Sequence, residues 1–101
     1  MSKVIISPAA GEDALQIWEY IARDNSRAAD QTLDQFNNLF SNLQSNPLLG
    51  KGVTELGDDL RVFYVGRYDI FYRVSSDGIE IVRMLHSSRE ITAELFGYAT
   101  I

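Results

Sequence analysis

The sequence predicts an α+β fold in which an N-terminal helical hairpin packs on a small antiparallel sheet, with the element order β-α-α-β-β-β(-α). Three observations lead to this expectation: a short β-branched segment near the N-terminus, two stretches whose apolar residues recur at helical spacing, and a later region of alternating residues divided by turn signals. Because a chain of 101 residues has room for one hydrophobic core, we expect residues 1–101 to form a single domain.

The first predicted strand and the first predicted helix follow each other without a linker. Residues 3–7 (KVIIS) are apolar and β-branched, which is typical of a buried strand. Ser7-Pro8 then indicates a helix start, because serine can cap free N–H groups and proline is tolerated in the first helical turn. The apolar face of this helix consists of Ala10, Ala14, Ile17, Trp18 and Ile21.

A second helix is expected after Asn25-Ser26, which offers another capping side chain. Its apolar residues recur at spacings of three and four, and they are Ala29, Leu33, Phe36, Phe40 and Leu43. Asn46-Pro47 should end this helix, since the residue before a proline avoids the helical region. Residues 46–59 (NPLLGKGVTELGDD) then form a connection interrupted by glycines. The short break between the helices predicts that they lie antiparallel.

Three strands are predicted next, at residues 60–65, 67–75 and 79–85. Gly66-Arg67 and Asp77-Gly78 are suited to the tight turns between them, because both pairs contain a glycine that can adopt positive φ. Ser87-Ser88 is expected to cap a short closing helix that carries Ile91 and Leu95 on one side.

These turns predict which side chains share a face of the sheet. Counting outward from them pairs Arg61 with Tyr72 and Tyr72 with Arg83, so that two arginines flank one ring in a row across three strands. The same register places Asp69 opposite His86 on the other face. On that face Arg73 lies diagonal to Glu80, and this ion pair is expected to be structural.

Composition excludes several classes of site and partner. The chain has no cysteine and a single histidine, so thiolate chemistry and cysteine or histidine metal sites are excluded, and we expect no metal and no cofactor. A net charge of −5 argues against direct nucleic-acid binding driven by phosphate contacts. The sequence shows no signal-like or membrane-spanning apolar run, so we expect a cytoplasmic protein without membrane contact.

Four segments in this order resemble the RelE/ParE toxin superfamily, and more closely its ParE branch of plasmid-stabilisation toxins. They are SPAA with EDALQIWEYIA, the Asn-Pro-x-x-Gly loop, VGRYDIFYRV and IVRMLHSSREI, and together they extend from Ser7 to about Phe96. The resemblance implies two helices packed on a small antiparallel sheet, with the first strand at the sheet edge and a short helix at the C-terminus.

The resemblance also implies a function. ParE-like toxins belong to type II toxin–antitoxin systems, bind DNA gyrase without a known catalytic site, and cause growth arrest; a ParD-like antitoxin neutralises them in a hetero-oligomer. Under this interpretation the partner-binding residues are expected to be Arg61, Arg67, Tyr72, Arg83 and Arg89. Arginine and tyrosine are favoured at the centres of protein interfaces.

Two alternatives remain open within the same superfamily. RelE-like toxins are ribosome-dependent mRNA endoribonucleases, and here His86 and Arg89 would be the catalytic candidates. Asp69, however, occupies the position of a nuclease arginine, and the C-terminal tyrosine of that branch aligns near Leu95, with Tyr98 close by. The other alternative is a family remnant that has lost its toxicity.

Overall fold

The computed structural model describes residues 2–97 as two helices packed on one five-stranded sheet. The sheet order is β1-β5-β4-β3-β2. The elements are β1 (Lys3–Ile6), α1 (Pro8–Ala22), α2 (Ser26–Ser45), β2 (Lys51–Gly52), β3 (Leu60–Val65), β4 (Tyr68–Ser75), β5 (Gly78–His86) and a closing 3-10 helix (Ala93–Phe96). The predicted α+β fold and element order are confirmed. Among residues 2–97, no helix has the length and apolarity needed to cross a membrane.

Both helices begin at the caps that the sequence indicates. Ser7 Oγ accepts the Ala10 N–H at 3.0 Å and Asn25 Oδ1 accepts the Ala28 N–H at 3.0 Å. Each bond satisfies one of the donors that a helix N-terminus leaves without a partner, and this explains why α1 and α2 start where they do.

Strand β1 lies at the sheet edge, as the resemblance implies, but it pairs in parallel with the first half of β5, so the sheet is mixed and not antiparallel throughout as predicted. The other edge carries a strand that the sequence did not predict: β2 is two residues long and pairs antiparallel with β3. A strand this short carries no alternating pattern, so the region could only be interpreted as a glycine-interrupted connection.

The sheet has a hydrophobic cluster on each side. The first cluster joins the helices to the sheet, and its buried members include Phe36, Leu43, Ile70 and Ile81. The second lies on the opposite face, beneath the connection before β3 and the C-terminal segment, and it includes Phe71 and Phe96 with ring centroids 4.6 Å apart. Because both faces are covered, the central strand β4 is buried at four consecutive positions, residues 69–72.

The predicted register between β3 and β4 is confirmed, with Val65 opposite Tyr68 and Arg61 opposite Tyr72. The register between β4 and β5 was predicted incorrectly. The turn lies one residue earlier than expected, so that Ser75 pairs with Gly78. Gly78 is needed in the strand because Lys3 of β1 runs directly against it, and its φ of 146° suits a residue without a side chain.

A β-bulge then changes the faces in the second half of β5. Tyr72 lies opposite Ile81 while Phe71 lies opposite Arg83, so Val82 is an extra residue on β5. Beyond this point each side chain of β5 faces the side opposite to the one predicted. The Tyr72–Arg83 pair and the Asp69–His86 pair are therefore wrong: Asp69 faces Leu85, and His86 faces Tyr68.

Two smaller expectations also need correction or completion. Ser87-Ser88 does not cap the closing helix, because that helix begins only at Ala93 after Thr92, and Ser88 instead bonds to His86. Arg73 lies directly opposite Glu80 with a nitrogen–oxygen distance of 3.5 Å, so the expected ion pair forms. Tyr98 lies outside the described residues.

Candidate functional site

A groove of about 620 Å³ runs between α1 and the end of the sheet where β4 begins and β5 ends. One wall comes from α1 and the other from the β3–β4 turn, the end of β5 and the residues that follow it. Its lining consists of Asp13, Gln16, Ile17, Tyr20, Ile21, Arg67, Tyr68, Met84, Leu85, His86, Ser88 and Arg89. The volume falls within the range typical of ligand and peptide sites.

The groove exists because β1 ends early. Ile6 pairs with Ile81, and the chain then turns at Ser7 into α1, so the rest of β5 has no neighbouring strand on that side. The Ser7 N–H donates to Ile81 O at 3.0 Å and the Ser7 hydroxyl donates to Val82 O at 2.8 Å, which closes the edge where the strands part. The groove is the space between α1 and this unpaired part of β5.

Further along β5, Asp13 of α1 provides hydrogen-bond acceptors to the strand edge that β1 leaves without a neighbour. Its carboxylate accepts the Met84 N–H at 3.0 Å and two N–H groups of Arg83, at 2.7 and 2.9 Å. The remaining Arg83 nitrogen donates to Leu95 O at 3.0 Å, which joins α1, β5 and the closing 3-10 helix. The hydrogen bond with Asp13 raises the pKa of Arg83, although burial opposes this shift. Arg83 is thus held in a structural ion pair in which 17% of its side chain and 7% of the Asp13 side chain are exposed.

Arg67 and Arg89 reach the groove from neighbouring loops, and His86 reaches it from the end of β5. The Ser87 N–H donates to Arg67 O at 2.8 Å, and this bond holds the β3–β4 turn beside the segment that follows β5. His86 Nδ1 accepts the Ser88 N–H at 3.1 Å, which leaves Nε2 as the ring nitrogen available to the groove. Neither Arg67 nor Arg89 forms a salt bridge with any of residues 2–97.

The floor of the groove is aromatic. Tyr68 packs edge-on against Phe36 at 5.7 Å and against His86 at 5.6 Å between ring centroids. Tyr20 stands on the α1 wall with 70% of its side chain exposed. Burial raises the pKa of the Tyr68 hydroxyl, with a further contribution from Tyr20, while Arg67 opposes the shift. The Tyr68 hydroxyl therefore stays protonated at physiological pH.

The predicted row of Arg61, Tyr72 and Arg83 does not form, because Tyr72 lies opposite Ile81 instead of Arg83. Tyr72 is fully buried, and its hydroxyl donates to Pro47 O and accepts the Gly50 N–H, both at 2.8 Å. Arg61 Nε donates to Gly50 O at 3.0 Å. Both side chains hold the loop after α2 in place. This also explains the Asn-Pro-x-x-Gly pattern, since a Cβ on Gly50 would lie 2.7 Å from the Tyr72 hydroxyl.

Asp69 is buried on the opposite face of the sheet from the groove, with 9% of its surface exposed. Burial raises the pKa of its carboxyl, and the nearby His86 partly lowers it. A raised pKa means that the folded protein holds this proton more tightly than the unfolded chain does. The stability that Asp69 contributes is complete below the ordinary pKa of 3.8 and is lost as the pH rises through the raised value.

We therefore expect Asp69→Asn to raise the free energy of unfolding at neutral pH, because the amide does not have to ionise in a buried position. The advantage over the natural sequence should shrink as the pH falls and should approach zero only below about pH 3.9, where the aspartate becomes protonated in both states. Urea unfolding from about pH 4 to about pH 7 measures this difference. Asp34→Asn, at an exposed position of α2, is the matched control and should show no such trend. A constant difference across the pH range would contradict the expectation.

The structure thus brings together three of the predicted site residues and separates the others. Arg67, His86 and Arg89 line one groove, whereas Arg61, Tyr72 and Arg83 have internal hydrogen bonds. Sequence reasoning missed Tyr20, whose position on the predicted α1 outside the apolar stripe was the available signal. Among residues 2–97, no group of His, Asp and Glu side chains is arranged to hold a metal ion.

Comparison with known proteins agrees with this fold. Residues 4–91 match the family model of the ParE toxin of type II toxin–antitoxin systems, parDE. The chain is 29% identical over 96 residues to Toxin ParE1 of Mycobacterium tuberculosis, covering 93% of this chain and 98% of the relative. It is 25% identical over 96 residues to Toxin ParE3 of Caulobacter vibrioides, covering 94% and 96%.

A solved structure supports the fold independently. The match is to a chain of the chromosomal ParDE TA system from P. aeruginosa, with a TM-score of 0.71 and 18% identity, covering 85% of this chain and 96% of that one. At this identity the likeness concerns the fold alone. The family model, which extends over most of the sequence, shows that this chain belongs to the ParE toxin family of type II toxin–antitoxin systems.

Proposed function

We propose that this chain is a toxin that stops growth by binding DNA gyrase, without catalysing a reaction itself, and that a ParD-like antitoxin neutralises it in a hetero-oligomer. The match to the ParE family model across residues 4–91 is the observation that carries this proposal. The pairing of ParD and ParE in the name of the matching solved system supports an antitoxin partner.

The groove supports a binding function. It combines an apolar and aromatic floor with two arginines that have no carboxylate partner among the described residues, which is the composition of a protein interface centre. Of the residues expected to contact a partner, Arg67 and Arg89 are the two that line this groove. We propose that these two arginines contact the partner protein.

The endoribonuclease alternative is favoured by one observation. His86 and Arg89, the catalytic candidates under that interpretation, line the same groove. A cleavage site needs several cations around the scissile phosphate and a proton carrier. Against it, the chain has a net charge of −5 and carries the carboxyl of Asp69 where the nuclease branch has an arginine. We therefore retain cleavage as an outcome of the test.

The test combines growth with two assays in solution. Expression of the chain in a bacterial host should arrest growth, and the purified protein should inhibit gyrase supercoiling while leaving translated mRNA intact. Arg67→Ala with Arg89→Ala should reduce gyrase inhibition at least about tenfold, since each substitution removes a charged contact from the proposed interface. Arg27→Ala, an exposed arginine on α2, is the matched control and should leave inhibition unchanged.

The remaining outcomes decide between the alternatives. Defined cuts in mRNA on translating ribosomes, suppressed by His86→Ala, would replace the gyrase proposal with the nuclease one. Expression without growth arrest, by a chain whose circular dichroism shows it to be folded, would identify a non-toxic member of the family.

A further inference from the structure

The charges around the groove indicate the chemistry of what binds there. Asp13 is neutralised by Arg83, and on the opposite wall Arg67 and Arg89 are exposed and form no salt bridge with residues 2–97. His86 is exposed beside them. In a chain with 14 acidic and 9 basic residues, Arg67 and Arg89 thus place two guanidinium groups without a carboxylate partner on one wall of the groove, and a binding segment that brings carboxylates would supply the missing charge.

The apolar lining adds a second requirement. Ile17 and Ile21 of α1 face Tyr68 and Met84 of the sheet across the groove, and Tyr20 extends the apolar wall outward. Covering these side chains removes apolar surface from water, which is the main favourable contribution to association. The binding segment should therefore contribute at least one aliphatic or aromatic side chain next to its carboxylate.

The backbone around the groove indicates how recognition occurs. Met84, in the unpaired part of β5, already donates its N–H to Asp13. An added strand could not use this donor without breaking the buried ion pair of Asp13 and Arg83. Recognition in the groove should consequently depend on side chains rather than on extension of the sheet at this position.

A polypeptide fits these features better than a nucleic acid does. A phosphate backbone is followed by a continuous basic track, but the α1 side of this groove belongs to a helix with Glu12 and Glu19 exposed on its surface. Two arginines on one wall suit one or two carboxylates, and the opposite wall suits apolar side chains.

We propose that the groove binds a protein segment that places an aliphatic or aromatic side chain against Ile17 and Tyr68 and an adjacent carboxylate against Arg67 and Arg89. This inference deepens the proposed function, because it rests on the groove being the surface that meets a protein partner. It specifies the sequence chemistry of that partner.

Selection from a random peptide library displayed on phage tests the inference with the full chain as bait. Selected peptides should be enriched in Asp or Glu next to Leu, Ile, Phe or Tyr. Selection with Arg67→Glu/Arg89→Glu should reverse the charge preference and enrich Lys or Arg beside the same apolar residues. Selection with the matched control Arg27→Glu should still yield acidic peptides, since this residue is exposed on α2 and does not line the groove.

Binding of one selected, fluorescently labelled peptide gives the quantitative result. The double charge reversal should weaken its binding at least about tenfold, and Tyr20→Ser should weaken it by a smaller factor while leaving the melting temperature unchanged, because Tyr20 is mostly exposed. Peptides without acidic residues, or an affinity insensitive to the double reversal, would overturn the inference. The inference would also be overturned if a single-stranded RNA oligonucleotide displaced the labelled peptide at a lower concentration than the same peptide without its label.

These results separate the inference from the proposed target. A chain that selects acidic–apolar peptides but leaves gyrase active would retain the groove chemistry and lose only the gyrase assignment. A chain that inhibits gyrase but selects no such peptide would retain the target and lose the inference about the groove.

Discussion

Replacing Asp13 by Ala should lower the free energy of unfolding by about 3–5 kcal/mol, the cost of removing one partner of a buried ion pair. The substitution would leave the Arg83 guanidinium buried without its carboxylate and the Met84 N–H without an acceptor. Small domains are stable by only about 5–15 kcal/mol, so a large share of the total would be lost. Urea unfolding followed by circular dichroism measures the change.

Two controls test whether the loss of stability comes from breaking the ion pair or from any substitution in this part of α1. Glu12→Ala changes the neighbouring exposed carboxylate of the same helix and should alter stability by less than about 0.5 kcal/mol. The double variant Asp13→Leu/Arg83→Met removes both charges together and should recover much of the loss, because apolar groups of similar volume often replace a buried pair at little cost. A cost below about 1 kcal/mol for Asp13→Ala would show that the pair is not important for stability.

Replacing Gly78 by Ala should destabilise the protein by at least about 2 kcal/mol. The new methyl group would collide with backbone atoms, and alanine would also have to adopt a strained backbone conformation. Its Cβ would overlap the Lys3 carbonyl oxygen and lie 2.5 Å from the Lys3 nitrogen, and φ at this position is +146°. The expected structural result is loss of the Lys3–Gly78 pair and loosening of β1. Thermal unfolding and amide hydrogen exchange of residues 3–6 measure these effects.

The same substitution at Gly11 provides the matched control. Gly11 lies within α1, and a Cβ there would meet no atom within 4 Å. Because alanine is the better helix former, Gly11→Ala should stabilise the protein by about 0.5–1 kcal/mol. If Gly78→Ala and Gly11→Ala had equal stability, the close contact between β1 and β5 at Gly78 would not impose the cost that we expect for a side chain at that position.

The helices could be predicted because their signals are local. Ser7 and Asn25 cap helices whose apolar residues follow the helical period, and both the caps and the period can be recognised without tertiary information. The β3–β4 register could be predicted for the same reason, since the two-residue turn at Gly66-Arg67 determines the pairing on both sides of it.

The β4–β5 register could not be predicted because both faces of the sheet are buried. Alternation specifies register only where one face is apolar and the other is polar. In β5 the apolar pairs Ile81-Val82 and Met84-Leu85 supply buried side chains to both clusters, so a shift by one residue conserves the overall pattern. These adjacent apolar pairs were the available signal of an irregular strand.

The candidate site was only partly predictable, for a related reason. Arg67 and Arg89 occur at the same end of the sheet in any antiparallel arrangement of these strands, so their proximity follows from the order of elements. The contact of Asp13 with Arg83, by contrast, joins residues 70 positions apart, and neither spacing nor composition indicates it. As a result Arg83 was predicted to be a free cation although it is the one that the fold uses internally.

The bulge at Val82 has a consequence for how sequences of this kind can change. Because Val82 is an extra residue, His86 faces the side opposite to the one that regular alternation counted from the β4–β5 turn would give it. An in-frame loss of the single codon for Val82 would leave every other side chain in the gene product unaltered. With the extra residue gone, Arg83 would still pair with Phe71 and Met84 with Ile70, so Met84, Leu85 and His86 would keep their present sides of the sheet. An ungapped alignment with a related toxin that lacks this extra residue would therefore compare residues on opposite sides of the sheet beyond this position, whereas a one-residue gap at Val82 would keep the sides matched.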